Sequence, residues 1–377
     1  MRTSFRILLL LTLAMPAARA AVLPDDRADV LYHRYEGGGV TIDGPSLLVR
    51  KKFAEQYAAT ASYYVDMVSS ASIDVVTTAS PYAEERKEYG LGFEYLRDKV
   101  TYRLGYSNSR ENDYEADTAY ASISQDMFGD LTTLTLSFAR GWDKVFRRGD
   151  DSFSGQVDRR VYGIDLSQIL TRRLIAGLSI ETVSEEGFLN NPYRSVRYLD
   201  PESAVGYSYQ AEIYPGTRTG TALALRGRYI LPHRMAVYGD YRYYTDDWGI
   251  RANTAEVGYS YGLGDNWILD VHYRYHTQDG ADFYSDLFPR RDFQNFLARD
   301  KELATMTSQT FGLGVSYEFT APWLSFLQKS SVNLRYDLIR FDYDDFRDVR
   351  YSSYEPGTEP LYQFDANVLQ LFVSGWF

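Results

Sequence analysis

The sequence predicts an all-β protein. It reads as a transmembrane antiparallel β-barrel of the bacterial outer membrane, with about sixteen strands, short periplasmic turns and long extracellular loops. Three observations carry this. First, the last ten residues alternate. Leu369, Leu371, Val373 and Phe377 share one parity with Gly375, while Gln370 and Ser374 fall on the other with Phe372 and Trp376. Such a strand has two unlike faces. One that ends on a bare aromatic residue is expected to close against the first strand and leave no edge. Second, alternating segments of about 11–15 residues recur along the chain, against a mean of about 5–6 for strands in globular proteins. Third, Tyr (34) and Phe (20) are abundant, as the girdles of a membrane barrel require.

From the N-terminus, Arg2 and Arg6 form a basic lead, Ile7 to Ala14 an apolar core, and Ala18-Arg19-Ala20 a small-x-small site. Residues 1–20 therefore read as a secretory signal cleaved after Ala20. Its apolar run is shorter than the roughly 20 residues of a spanning helix, and no later stretch approaches that length. Residues 21–27 are expected to be a mobile periplasmic lead-in, and 28–377 a single barrel. The formal charge is −11, and it becomes more negative when the arginines of the signal leave. That balance argues against nucleic acid as a partner. The absence of cysteine excludes disulfides, thiolate metal sites and a lipoprotein anchor.

Wall strands are expected at 28–36, 39–53, 55–68, 85–96, 99–109, 114–127, 131–143 and 157–170. They continue at 172–185, 218–231, 234–246, 250–263, 265–279, 307–320, 329–343 and 364–377. Fourteen or eighteen strands are the alternatives. Short separators (Ala54, Arg97-Asp98, Gly129-Asp130, Thr171, Pro232-His233, Gly264 and 321–328) alternate strictly with the others. The longest of those are 69–84, 144–156, 186–217, 280–306 and 344–363. The segment 203–214 also alternates, but a wall strand there breaks the parity, so it is placed in a loop.

Each strand shows two faces. Trp267, Leu269, Val271, Tyr273 and Tyr275 oppose Asp270, His272, Arg274, His276 and Gln278; Phe311, Leu313 and Val315 oppose Gly312 and Gly314. Alternation alone also fits a soluble sandwich with its apolar face inside. Strand length, tyrosine at the ends of the apolar faces, the export signal and the terminal Phe377 decide for a barrel with its apolar face outward.

The polar parity then lines the lumen. Its candidates are Arg226, Arg228, Asp240, Arg242, Glu256, Asp270, His272, Arg274, His276, Arg335 and Asp337. Mixed charges on adjacent inward positions either brace and hydrate the wall or form a constriction that selects solutes. His272 and His276 are about 13 Å apart at the rise of a strand, too far to share a metal, so no metal site is expected. No cofactor is expected either.

Three clusters sit at the rim of the long loops: Gly187-Phe-Leu-Asn-Asn-Pro-Tyr-Arg194, Tyr241 to Ile250, and Arg274 to Phe288. Within them Asn190, Asn191, Pro192, Tyr193, Arg194, Asp246, Asp247, Trp248, Gln278, Asp282 and Tyr284 form either a packed network or a binding or gating surface. Asn-Asn-Pro and Asp-Trp-Gly also have plain turn-forming reasons to be there. Together with the signal segment and Phe377, these clusters resemble the bacterial family called domain of unknown function 3570. The resemblance extends over nearly the whole mature chain. It implies an outer-membrane β-barrel with no assigned activity, and it brings no catalytic residues.

Asp342, Asp344, Asp345 and Asp348 offer oxygens for divalent cations, or form a solvated loop, or bridge through cations to lipopolysaccharide phosphates. Arg290 to Leu303 is amphipathic at helical spacing through Phe293, Phe296 and Leu297, which predicts a short helix in the 280–306 loop. The leading functional expectation is a porin-like channel for small solutes. The alternative is a structural or partner barrel plugged by its own loops. An enzyme is not expected, and a lumen acid/base site at Asp270, His272 and His276 is the weakest reading. Expected partners are outer-membrane lipid, lipopolysaccharide and, through Phe377, the barrel-assembly machinery.

Overall fold

Segments that alternate apolar and polar residues need a partner on each edge and an apolar medium on one face. A closed barrel in a bilayer supplies both. The computed structural model describes residues 22–70, 82–320, 324–351 and 353–377. The expected signal segment, most of the 69–84 connection and the start of the 321–328 turn lie outside them.

The first eight strands are β1 (Arg27–Gly37), β2 (Val40–Phe53), β3 (Tyr57–Ser70), β4 (Tyr82–Arg97), β5 (Val100–Arg110), β6 (Tyr114–Met127), β7 (Thr132–Phe146) and β8 (Ser154–Thr171). After β9 (Leu174–Gly187) come the short β10 (Ser195–Leu199) and β11 (Tyr207–Ala211), then β12 (Thr217–Leu231) and β13 (Met235–Asp246). The chain continues with β14 (Arg251–Leu263), β15 (Trp267–Gln278), β16 (Met306–Phe319), β17 (Lys329–Arg347) and β18 (Leu361–Trp376).

Sixteen of these close into one antiparallel barrel, each pairing with its sequence neighbours, except that β9 pairs with β12 across the β10–β11 hairpin. The seam joins β1 to β18, from Arg27 opposite Trp376 to Gly37 opposite Ala366. All sixteen expected wall strands are present. The alternating stretch at 203–214 contributes β11, which pairs only with β10 and stays off the wall.

The apolar parity faces outward. Leu91, Leu104, Val257, Phe311 and Leu313 are 58–67% exposed, which no soluble core would leave in water. Near the short-turn end, outward aromatics pair: Tyr57 stacks on Tyr95 at 5.0 Å, and Trp267 lies tilted against Tyr317 at 4.5 Å between centroids. This is the interfacial girdle. The tight turns need left-handed backbone, and several occur without glycine, as at His233 (φ 60°) and Arg234 (φ 59°).

Two expectations are corrected. Residues 22–26 are docked, not mobile: Leu23 is buried with Ala58 and Leu96 against the inner wall. Asp26 accepts from the Lys52 amide at 2.6 Å, and its carbonyl accepts from the Phe377 amide at 3.1 Å. The lead-in therefore clasps the seam that the terminal residue closes. In the 280–306 loop the helix of 290–303 is absent apart from a single 3-10 turn, Lys301–Leu303. Leu297 instead bridges Ile213, and Ala298 bridges Tyr284, as isolated strand-like pairs.

Candidate functional site: a charged lumen beneath a packed loop cap

Parity carries the charged side chains of β12 to β17 onto the inner wall, and the register then decides which of them meet. Arg226 lies directly opposite Asp240, and its Nε donates to that carboxylate at 2.8 Å. Arg228 lies over the Tyr238 ring at 5.3 Å. Tyr238 reaches past β14 to donate to Asp270 at 2.9 Å, and Ser260 donates to the other oxygen at 2.6 Å. That reach requires Gly258, because a Cβ there would sit inside the Tyr238 ring. Next along the wall, His272 meets Arg335 and Asp337 across β16. The Arg335 guanidinium donates to His272 Nε2 at 2.8 Å, and Asp337 Oδ1 is 3.3 Å from the same nitrogen.

Gly312 lies between His272 and Asp337 in the register, and a Cβ there would overlap both. Gly312→Ala is therefore expected to separate the pair and cost about 1–3 kcal/mol, as overpacking does. Heat-dependent migration of the folded barrel on gels reads the loss.

The structure thus joins Arg226 to Asp240, Asp270 to Tyr238 and Ser260, and, beside them, His272 to Arg335 and Asp337. Arg242 lies 3.9 Å from Glu181. His276 Nδ1 is 2.8 Å from the Thr254 hydroxyl, apart from His272. Glu256 sits between Asp240 and Arg274 in the register. Gly258-Tyr259-Ser260-Tyr261-Gly262 has the spacing of a nucleophile elbow, but it is continuous strand in the C-terminal half of β14 and not a strand-to-helix turn. Inward charges keep water: the side chains of Arg226, Arg335 and Arg242 are 60%, 46% and 42% exposed.

Above the lumen the loops pack into a cap with a core of its own. Trp248 stands edge-on to Phe283 at 5.1 Å and to Tyr214 at 5.5 Å, and its indole donates to the Thr217 carbonyl at 2.8 Å. Ile250, Ala281, Ala298 and Leu303 complete this cluster. A second cluster joins Ala304, Tyr343, Phe346 and Tyr362, and a third joins Val196, Phe288 and Leu297.

Buried charge ties the clusters together. Arg197 on β10 is fully buried, paired with Asp286 and Glu359. Arg299 donates to Asp286 as well, and to the Arg347 carbonyl at 3.1 Å. Burial works against the Arg197 charge, but the hydrogen bonds it donates to Glu359 and Asp286 hold the guanidinium protonated far above its ordinary range. Burial with Glu212 beside it pushes the Tyr214 phenol far up.

The rim residues serve this cap. Asp246 accepts from Arg218 at 2.7 Å and from the Trp248 and Ile250 amides at 3.1 and 3.0 Å. Asp247 accepts from the Thr219 amide at 2.9 Å, and the Asp282 amide donates to the Trp248 carbonyl at 2.8 Å. Gln278 donates to the Glu302 and Ala304 carbonyls, and Tyr284 to that of Asp345. Asn190 donates to the Glu212 carbonyl at 3.4 Å, Asn191 accepts from the Tyr193 amide at 2.9 Å, and Arg194 pairs with Asp300.

Pro192 lines a cavity of about 790 Å³ between the cap and the opposite wall. Glu84, Glu111 and Asp113 face it, their carboxylate oxygens all within 4.8 Å of one another. Burial, partly offset by Arg86 and reinforced by Asp113, raises the Glu111 carboxyl. In the acidic run read as a cation site, a solvated loop or a bridge to lipopolysaccharide, three carboxylates have partners within the protein: Asp342 pairs with Arg340, Asp345 accepts from the Thr305 amide, and Asp348 pairs with Arg350.

Sequence reasoning missed Arg197, Asp286, Arg299 and Glu359. Arg197 stands 89 positions from Asp286 and 162 from Glu359, a separation that leaves no local pattern. His33, stacked on Tyr64 and 2.7 Å from Asp66 on the inner wall, was open to the same parity argument.

The family model described as Protein of unknown function (DUF3570) matches residues 73–163 and 154–338. No curated protein matches the sequence. A solved structure described as a bacterial polysaccharide outer membrane secretin is similar over 93% of this chain and 98% of its own, at 10% identity and a TM-score of 0.51. At that identity the likeness shows the fold alone, that of an outer-membrane β-barrel. Outer-membrane expressed OmpT of Vibrio cholerae aligns over 95% of this chain and 100% of its own, at 10% identity and a TM-score of 0.46. Pseudomonas aeruginosa OccK3 (OpdO) aligns over 93% and 95%, at 12% identity and 0.44.

Proposed function

The chain belongs to the family described as Protein of unknown function (DUF3570), and from that premise we propose that it is a porin-like channel for small solutes with a mixed-charge lumen. One observation carries the reading. The inward charges are solvated, with Arg226 60% and Glu181 52% exposed, so the wall encloses water and not a packed core. Charges set on a hydrated wall act on passing ions. In this reading the 790 Å³ cavity between the cap and the opposite wall serves as the entrance. The protein is a channel in this reading and not an enzyme, reached through a cleaved signal and set in lipopolysaccharide-bearing membrane.

A second reading is favoured by the cap's own apolar core: a barrel closed by its loops, serving as a station for a partner. Single-channel recording in planar bilayers separates the two. The intact protein is expected to conduct steadily. Replacing 280–304 by a short Gly-Ser turn is expected to raise conductance about twofold or more, as a wider mouth does. Arg226→Ala and Arg242→Ala are expected to move the reversal potential toward cations. Silence that ends when the loop is removed favours the closed barrel. Silence in both forms sinks the channel.

A further inference from the structure

We propose that His272 is a positioning residue that sets the charge of the lumen wall by holding or releasing Arg335 according to pH. The inference rests on the channel reading and adds its regulation.

The geometry is a competition for one lone pair. A guanidinium has no acceptor, so the 2.8 Å contact from Arg335 fixes His272 Nε2 as an acceptor, and the neutral ring must carry its proton on Nδ1. Nδ1 has no hydrogen-bond partner, and the nearest carboxylate oxygen, on Asp270, is 3.9 Å away. Asp337 Oδ1 lies 3.3 Å from Nε2, an acceptor facing an acceptor while the ring is neutral. A second proton reverses both contacts. Nε2–H then donates to Asp337 and opposes the arginine. The His272 side chain is only 2% exposed while that of Arg335 is 46% exposed, so the arginine is the partner free to move, outward into the lumen.

Four strands surround the ring. β15 itself presents Asp270, whose oxygens are held by Tyr238 of β13 and Ser260 of β14. β16 presents Gly312 opposite His272 and Gly314 opposite Asp270, and β14 presents Gly258 opposite His272. β17 presents Arg335 and Asp337, with Arg335 Nε also 3.1 Å from the Asp337 carboxylate. Glu256 and Arg274 face each other one inward row away. With a neutral ring this cluster of Asp270, Asp337 and Arg335 carries one net negative charge. Protonation cancels it and leaves Arg335, its contact to the ring lost, tethered only by a carboxylate that the imidazolium now shares, so its guanidinium can swing toward the lumen.

The test is the reversal potential of the full mature barrel across a KCl gradient at pH 8 and pH 5.5. The cation-to-anion permeability ratio is expected to fall about twofold or more on acidification. The step should vanish in His272→Gln, shrink in Arg335→Gln, and persist in His276→Gln. An equal step in His272→Gln, or no step in a conducting wild type, overturns the proposal and leaves the channel standing.

A barrel silent at both pH values fails the channel reading. The switch is then decided by ring nitrogen resonances. The chain has four histidines, so replacing His33, His233 and His276 by Gln leaves His272 alone. An Nδ1–H tautomer at pH 8 that becomes imidazolium by pH 5.5 supports the switch. An Nε2–H tautomer, or no titration in that window, overturns it.

Discussion

Arg197→Ala is expected to unfasten the cap at a cost of about 3–5 kcal/mol, the range for removing one partner of a buried ion pair. The side chain is fully buried, its Nε donates to the Asp286 carbonyl at 3.0 Å, and its two terminal nitrogens pair with Asp286 and Glu359. Deleting it leaves the Glu359 carboxylate without its cation and Asp286 with Arg299 alone, beside the cluster of Val196, Phe288 and Leu297. Three loops lose their common tie at once, because Arg197 belongs to the 188–216 loop, Asp286 to 279–305 and Glu359 to 348–360. The wall strands do not use this residue, so the barrel should keep its heat-dependent gel migration while the loops become open to protease. Arg197→Lys should recover only part of the loss, since an ammonium cannot reproduce the planar fork. A variant whose loops resist protease like the wild type would show that the clusters hold the cap without the ion network.

The same network predicts the pH dependence of the cap. Burial opposes the Glu359 charge, but hydrogen bonds from Arg197 and from backbone amides, with the Arg197 charge, outweigh it and hold the carboxyl below its ordinary range. A group depressed in the folded state adds stability that is complete above its unfolded pKa of about 4.3 and is lost as pH falls through the folded value. Asp348, depressed by Arg350 against its burial, acts in the same direction. Cap proteolysis should therefore rise below about pH 4.5, and the acid sensitivity should be weaker in Glu359→Gln.

The sixteen wall strands were legible because period-two alternation is a local signal that each strand repeats. The same parity placed Asp270, His272, Arg335 and Asp337 on one face. It could not say that Gly312 would let two of them meet, since that depends on register across three strands. The 280–306 loop misled for a physical reason. Phe293, Phe296 and Leu297 are spaced for a helix, but so short an isolated helix is marginal without tertiary packing along one face. Here Leu297 is drawn to Ile213, and Phe288 to Val196. The cap as a whole was illegible because its partners come from four loops, and nothing local marks Arg197 as different from any other arginine. The lead-in was read as mobile from its shortness, and its docking depends on the seam that only the closed barrel creates.

Trp248→Ala is the second change expected to act strongly, at about 3–5 kcal/mol for a buried aromatic reduced to a methyl group. The indole is the hub of the cap's largest apolar cluster. It is 5% exposed, set edge-on to Phe283 and Tyr214, and covered by the Arg218 guanidinium at 4.6 Å. Removing it leaves Arg218 without its aromatic face and the Thr217 carbonyl without its donor. Trp248→Phe should keep most of the packing and lose the hydrogen bond, costing about 1–2 kcal/mol by comparison. The functional consequence follows from position. Trp248 also lines the 790 Å³ cavity, so a collapsed indole site reshapes the space that the channel reading takes as the mouth. In planar bilayers Trp248→Ala should conduct more, with added flicker from loops that no longer hold one arrangement, while its lumen selectivity stays with Arg226, Arg242 and Arg335. Unchanged, quiet conductance in Trp248→Ala would mean that the cap does not border the path of the ions.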